Sequence, residues 1–178
     1  MKKSILTISL VLIAATAYAA SVHLKGGKNA EPTFFDEGLS LAAQGALSGL
    51  GNEDGLVTLE ARGNPEAVCA NKGSNEAPGQ NPAEVVLTGV APIDPDDFEK
   101  NGTFPFFVVT EEPESPIPGA PDCPNPNWTE TITDVAFTSA TITVEQPEGD
   151  VVLVVFCSID PPSSDGQISA GDVSCTQG

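Results

Sequence analysis

One histidine, one tryptophan, one tyrosine and seven Lys or Arg residues are all that 178 positions hold of those types. Catalysis by Ser, His and Asp would have to use His23, close to the N-terminus, where chains are commonly loose. Around Ser48 the order Ala46-Leu47-Ser48-Gly49-Leu50 lacks the first glycine of a nucleophile elbow. No two cysteines stand in C-x-x-C spacing and only one imidazole could join them, which argues against a zinc cluster or a thioredoxin-like redox pair. Basic residues are outnumbered by 25 Asp and Glu, so the surface repels phosphate backbones and anionic lipid; nucleic acid is a poor partner.

Long apolar runs are also scarce. The one present is Ile5 to Ala17, preceded by Lys2 and Lys3 and followed by Ala17-Tyr18-Ala19, the small residues a signal peptidase takes at its cleft. It is short for a hydrocarbon core of roughly 30 Å and no second run follows, so residues 1–19 read as a signal peptide and no membrane anchor is expected. Cleavage after Ala19 removes two lysines and no acid, leaving five basic residues (Lys25, Lys28, Arg62, Lys72, Lys100) and a net charge of −20. Export to the extracellular space, cell surface or periplasm follows, with residues 20–32 as an N-terminal arm and 33–178 as one domain. Salt or divalent cations should relieve the self-repulsion of so acidic a chain.

Four cysteines, Cys69, Cys123, Cys157 and Cys175, all lie in the exported part, and an even number in an oxidising compartment reads as two disulfides. Three pairings are open. A Cys69 to Cys123 bridge would stabilise by about 3 to 4 kcal/mol through chain entropy.

The remaining chain alternates. Leu39, Leu41, Ala43, Gly45 and Leu47 fall on odd positions, as do Val57, Leu59 and Ala61, while Ile142 and Val144 oppose Thr141, Thr143 and Glu145. Period two predicts half-buried strands, and no comparable helical stripe occurs. Val151 to Phe156 is apolar on both faces, which predicts a central strand covered on both sides, or one whose outer face meets another segment. Asp54-Gly55, Asn101-Gly102, Glu148-Gly149 and Asp165-Gly166 supply turns. Seven or more short strands predict an all-β, two-sheet antiparallel sandwich, with a barrel as the alternative. The expected core is Leu41, Leu47, Val57, Leu59, Val85, Leu87, Phe106, Val108, Phe137, Ile142, Val144, Val151, Leu153 and Val155. Pro105 cannot donate a ladder hydrogen bond, which places the strand over 103–110 at an edge or starts it after that proline.

Two long loops interrupt the pattern, Asn71 to Pro82 and Glu112 to Asn127, the second stiffened by prolines at 113, 116, 118, 121, 124 and 126. If Glu66 to Cys69 runs up, Ala83 to Val90 down and Thr103 to Thr110 up, both loops leave at one end, which favours Cys69 to Cys123. The complementary pair is Cys157 to Cys175, although simple hairpin register around Asp165-Gly166 would not set those two opposite each other.

Loops on a rigid sandwich commonly carry recognition, and a proline loop pinned by a disulfide loses less entropy on binding. The expected function is therefore a structural or binding role without catalysis, with contact to an extracellular protein or glycan through the loop end formed by Asn71 to Pro82 and Glu112 to Asn127, which includes Asn75, Gln80, Ile117, Asn125 and Trp128. Two alternatives are an inhibitor acting through the proline loop and a hydrolase with two acids about 5 to 9.5 Å apart in a cleft. No cofactor is expected, calcium excepted: Asp94-Pro95-Asp96-Asp97-Phe98-Glu99 is the densest acidic stretch, and Asp94, Asp96, Asp97 and Glu99 offer the hard oxygens calcium takes. It is not an EF-hand loop, because Phe98 and Glu99 occupy the positions of a ligand and the turn glycine. Asn101-Gly102-Thr103 and Asn127-Trp128-Thr129 match the glycosylation acceptor pattern.

The stretches Gly45-Ala46-Leu47-Ser48-Gly49-Leu50-Gly51-Asn52, Ala77-Pro78-Gly79-Gln80-Asn81-Pro82-Ala83 and Asp122-Cys123-Pro124-Asn125-Pro126-Asn127-Trp128-Thr129-Glu130-Thr131-Ile132 resemble those of a family of uncharacterised small secreted bacterial proteins with a predicted immunoglobulin-like β-sandwich. The resemblance implies secretion and that fold, and it carries no activity or ligand to transfer.

Overall fold

A computed structural model describes residues 22–27, 29–79 and 83–178. The expected signal peptide, residues 1–19, and Gln80 of the loop end lie outside the described residues. The strands, in chain order, are β1 (His23–Leu24), β2 (Thr33–Asp36), β3 (Leu41–Ser48), β4 (Gly55–Ala70), β5 (Glu76–Pro78), β6 (Val85–Ile93), β7 (Phe104–Val109), β8 (Thr129–Glu145), β9 (Val151–Ile159), β10 (Gly166–Gln167) and β11 (Val173–Gln177), with short 3-10 turns at Pro95–Asp97 and Ala170–Asp172. Every pairing between them is antiparallel. The first sheet is built on β3, with β7 on one flank, β2 and β1 sharing the other, and β10 beyond β2. The second runs β11-β9-β8-β4, and β6 and β5 share the far flank of β4. The chain is thus an all-β two-sheet sandwich, and Phe34, Leu41, Leu47, Val57, Leu59, Phe137, Ile142, Val144 and Val155 form the interior between the sheets.

Alternation predicts the inward residues well where a strand is regular. Of the expected core, Val85 is half-buried against it, whereas Val151 is 57 % exposed. Val151 lies beside a bulge at Val144/Glu145, where β9 begins and the inward register has not yet been established. The outer face of β9 is not covered either: Val154 and Phe156 face solvent. Pro105 does sit on an edge strand, opposite Ala46 in β7, where its missing N–H forfeits no bond to a second neighbour. Within the segment expected as an N-terminal arm, β1 pairs with the end of β3, and Val22 and Leu24 are buried. The Gln177 side chain clamps this segment, accepting from Leu24 N–H and donating to the carbonyls of Gly27 and Ala30.

The long β4–β8 pair departs from simple alternation. Residues of β4 point inward at every odd position from Gly55 to Cys69, but β8 turns inward at 130 and 132, then 135 and 137, then 140, 142 and 144. Each change of parity is a β-bulge, one at Glu66/Ala67 with Thr133 as the extra residue and one at Arg62/Gly63 with Thr138. Both threonines donate their hydroxyl to a β4 carbonyl at the bulge, Thr133 to Glu66 and Thr138 to Arg62, each at 3.3 Å. Gly63 gives the second bulge its room, because a Cβ there would lie 2.6 Å from Val135.

Both disulfides form. Cys69 joins Cys123 across the base of the proline loop, and Cys157 joins Cys175 with their Cα atoms 4.1 Å apart. The second pair does not follow from a hairpin about Asp165-Gly166. Residues 160–172 leave the second sheet, give β10 to the first, and return so that β11 runs beside β9 with Cys175 opposite Cys157. Two disulfides fit an oxidising compartment. Among the described residues, no helix is long and apolar enough to cross a membrane.

Candidate functional site

The last residue of β4, Ala70, stands opposite the first of β8, Thr129, so the loops attached to these ends emerge together. The turn after β4 is organised by Asn71, whose Oδ1 accepts from the N–H of Gly73 at 2.8 Å, the N–H of Asn75 at 3.1 Å and the Asn75 side-chain amide at 3.2 Å. This is the local backbone mimicry asparagine offers in turns. Ser74 takes the left-handed conformation within it, at φ 57°. Before β8, Asn125 does the same work: its Oδ1 accepts from Asn127 N–H at 3.1 Å and its carbonyl from Trp128 N–H at 3.1 Å. Between the two turns lies an open groove of about 390 Å³ lined by Asn71, Lys72, Gly73, Asn75, Asn127 and Trp128. The Cys69–Cys123 bridge ties the end of β4, two residues before Asn71, to the proline loop that leads to Asn125.

Of the residues expected at a binding loop, Asn75 and Trp128 meet in this groove, and Trp128 is half-buried. Asn125 is exposed and shapes the turn from outside the lining. Ile117 is half-buried against the core, and its N–H donates to the Glu130 carbonyl at 2.8 Å. The proline loop is therefore laid onto β8, a contact strengthened where Ile132 N–H reaches Ser115 Oγ. Asn71, Lys72 and Asn127 belong to the two expected loops without being singled out in them, although the order Asn71-Lys72-Gly73-Ser74-Asn75 carries the signature of a side-chain-capped turn. Lys72 forms no ion pair among the described residues, whereas Lys25 pairs with Glu99 and Arg62 with Glu60 and Glu84. His23 lies away from this groove, in β1, opposite Ser48 in the register.

Asp94 caps the 3-10 turn, accepting from Asp96 N–H at 2.9 Å; Asp96, Asp97 and Glu99 are exposed, and Glu99 is the partner of Lys25. The carboxylates that do converge come from three distant segments: Asp36 at the end of β2, Asp134 beside the first bulge of β8, and Asp165 just before β10. One oxygen from each lies within 4.8 Å of the others. Asp36 is 3 % exposed, accepts from Gly38 N–H at 2.9 Å, and accepts from the Ser163 hydroxyl. Burial raises its pKa above the ordinary carboxyl value, and the charges of Asp134 and Asp165 add to that, while the two hydrogen bonds work against it.

No protein family, curated protein or solved structure matches this chain. Its function has to be read from the groove and the carboxylates themselves.

Proposed function

We propose that the chain is an exported, non-enzymatic binding protein with an immunoglobulin-like sandwich, and that its loop-end groove takes a glycan. The observation that carries this reading is the convergence of an indole, three side-chain amides and one ammonium on a single groove, from Trp128, Asn71, Asn75, Asn127 and Lys72. An aromatic ring offers an apolar face with a polar edge, which suits the C–H face of a sugar, and amides donate and accept toward its hydroxyls, Asn71 as a donor only because its Oδ1 is taken by the turn. The aromatic face and polar side chains of the lining support holding a ligand. The turns are fixed by Asn71 and Asn125 and by the Cys69–Cys123 bridge, which lowers the entropy lost on binding. Export is supported by the signal-like N-terminus and the two disulfides.

Trp128 is the only tryptophan in the chain, so its fluorescence reports on the groove directly. Oxidised protein titrated with soluble neutral and acidic polysaccharides should show a saturable change in emission with one class. In a label-free binding assay, Trp128→Ala should then weaken that affinity by roughly 30-fold, the loss of about 2 kcal/mol typical of a central aromatic contact. Emission indifferent to every polysaccharide, together with no label-free binding, would remove the glycan reading.

A further inference from the structure

We propose that Asp36, Asp134 and Asp165 form a calcium site that ties the two sheets together at the open end of β2. None of these residues lines the loop-end groove, and the inference does not rest on the glycan reading.

The fold brings the three together by specific backbone contacts. Gly166 is the register partner of Asp36, which sets Asp165 beside the end of β2. Val135 N–H donates to the Gly38 carbonyl at 2.9 Å, which draws Asp134 of the second sheet against the same turn. Ser163 joins all three segments, its hydroxyl donating to Asp36 while its Oγ accepts from Phe137 N–H at 2.8 Å. Three carboxylates are thus assembled from β2, β8 and the excursion between β9 and β10, and no ion pair to a Lys or Arg involves them among the described residues.

A second observation points to a ligand. Asp134 is half-buried as a residue, but its Oδ1 has less than 1 Å² of accessible surface and, among the described residues, no hydrogen-bond partner. A carboxylate oxygen closed off from water with nothing to accept from is strongly unfavourable, more so beside two other carboxylates. Gly38, whose φ of 84° favours glycine, lies beside both side chains: a Cβ there would stand 3.7 Å from Asp165 Oδ1 and 3.9 Å from Asp134 Oδ1, so the two oxygens flank the same turn.

The spacing and chemistry fit calcium. Calcium binds oxygens at about 2.3–2.6 Å, so two oxygens on one ion are separated by at most about 4.6–5.2 Å. The observed upper limit of 4.8 Å lies within that range, so a shared ion needs little rearrangement. Three carboxylates leave further positions in a six- to eightfold shell for water, which Asp165, being exposed, allows to enter. Magnesium, which needs about 2.0–2.1 Å and near-ideal octahedral geometry, fits this spread less well.

The test is calcium binding by the oxidised protein after treatment with chelator, at constant ionic strength, read by titration calorimetry and thermal melting. One calcium per chain is expected, with the melting temperature rising by about 3 °C once free calcium exceeds the dissociation constant tenfold. Magnesium at the same concentration should give less than half that rise. Asp36→Asn and Asp134→Asn should each weaken calcium affinity at least tenfold, whereas the double variant Asp94→Asn/Asp96→Asn should bind as the wild type does. In chelator, Asp134→Asn should melt no lower than the wild type, because it removes one of three like charges; this separates loss of the ion from loss of the fold. The proposal is overturned if calcium neither binds nor raises the melting temperature, if the rise survives in both single variants, or if it is lost in the Asp94/Asp96 double variant.

Discussion

Glu130 is 0 % exposed, faces inward from β8 beneath the proline loop, and has one side-chain hydrogen bond, from Asp122 N–H to Oε2 at 3.4 Å. Its Oε1 has no hydrogen-bond partner among the described residues. A buried polar atom left unsatisfied costs about 1–3 kcal/mol, and a hydrogen bond as long as this one contributes at the low end of the usual 0.5–1.5 kcal/mol. Glu130→Met keeps the length and most of the volume of the side chain while removing both oxygens. The backbone carbonyl of residue 130, which accepts from Ile117 N–H, is unaffected, so the loop stays docked. The balance is a stabilisation of about 1 kcal/mol, or a rise of roughly 2–4 °C in melting temperature for a chain of this length. Glu130→Gln is the control: it keeps an acceptor for Asp122 and still buries a polar group, so its stability should stay near that of the wild type. Thermal and urea unfolding of the oxidised proteins, in chelator, measure both. If Glu130→Met is destabilised by about 1 kcal/mol or more, the side chain has a stabilising partner and the reasoning fails.

Two further outcomes follow from the packing and the carboxylates. Gly89 of β6 passes so close to β7 that a Cβ would lie 1.9 Å from the Val109 carbonyl oxygen, so Gly89→Ala should lower stability in urea by at least about 2 kcal/mol; a change under about 0.5 kcal/mol would mean that the strands separate freely there. Asp36 holds its proton more tightly in the folded chain than in the unfolded one, so without calcium its destabilising contribution is absent below its ordinary value near 3.8 and grows as pH rises through the higher folded value. Melting curves across that range in chelator should show the wild type losing ground to Asp36→Asn as pH increases, and parallel profiles would refute this.

The sequence by itself determined the class of fold and much of its interior. Period-two patterning is a local property: once one face of a strand must be dry, Leu41, Val57, Leu59, Ile142, Val144 and Val155 have only one way to point. The missing N–H of Pro105 likewise fits its edge strand, and strands that alternate in direction bring the two long loops out at one end, which favours the Cys69–Cys123 pairing. Locality also explains why β8 was visible only in part. Two bulges reverse its inward parity, at Thr133 and Thr138, and a reversal looks like the end of a strand unless the partner is known. Tertiary structure alone decided what lies far apart in the chain and close in space. Cys157 meets Cys175 because thirteen residues, 160–172, visit the other sheet between them, and Trp128 meets the Asn71 turn because β4 and β8 end together. The densest run of acids, at 94–99, is dispersed along an exposed turn, whereas Asp36, Asp134 and Asp165, each inconspicuous in sequence, converge. Composition fixes how much negative charge the chain carries; only the pairing of strands fixes which carboxylates must share one small volume.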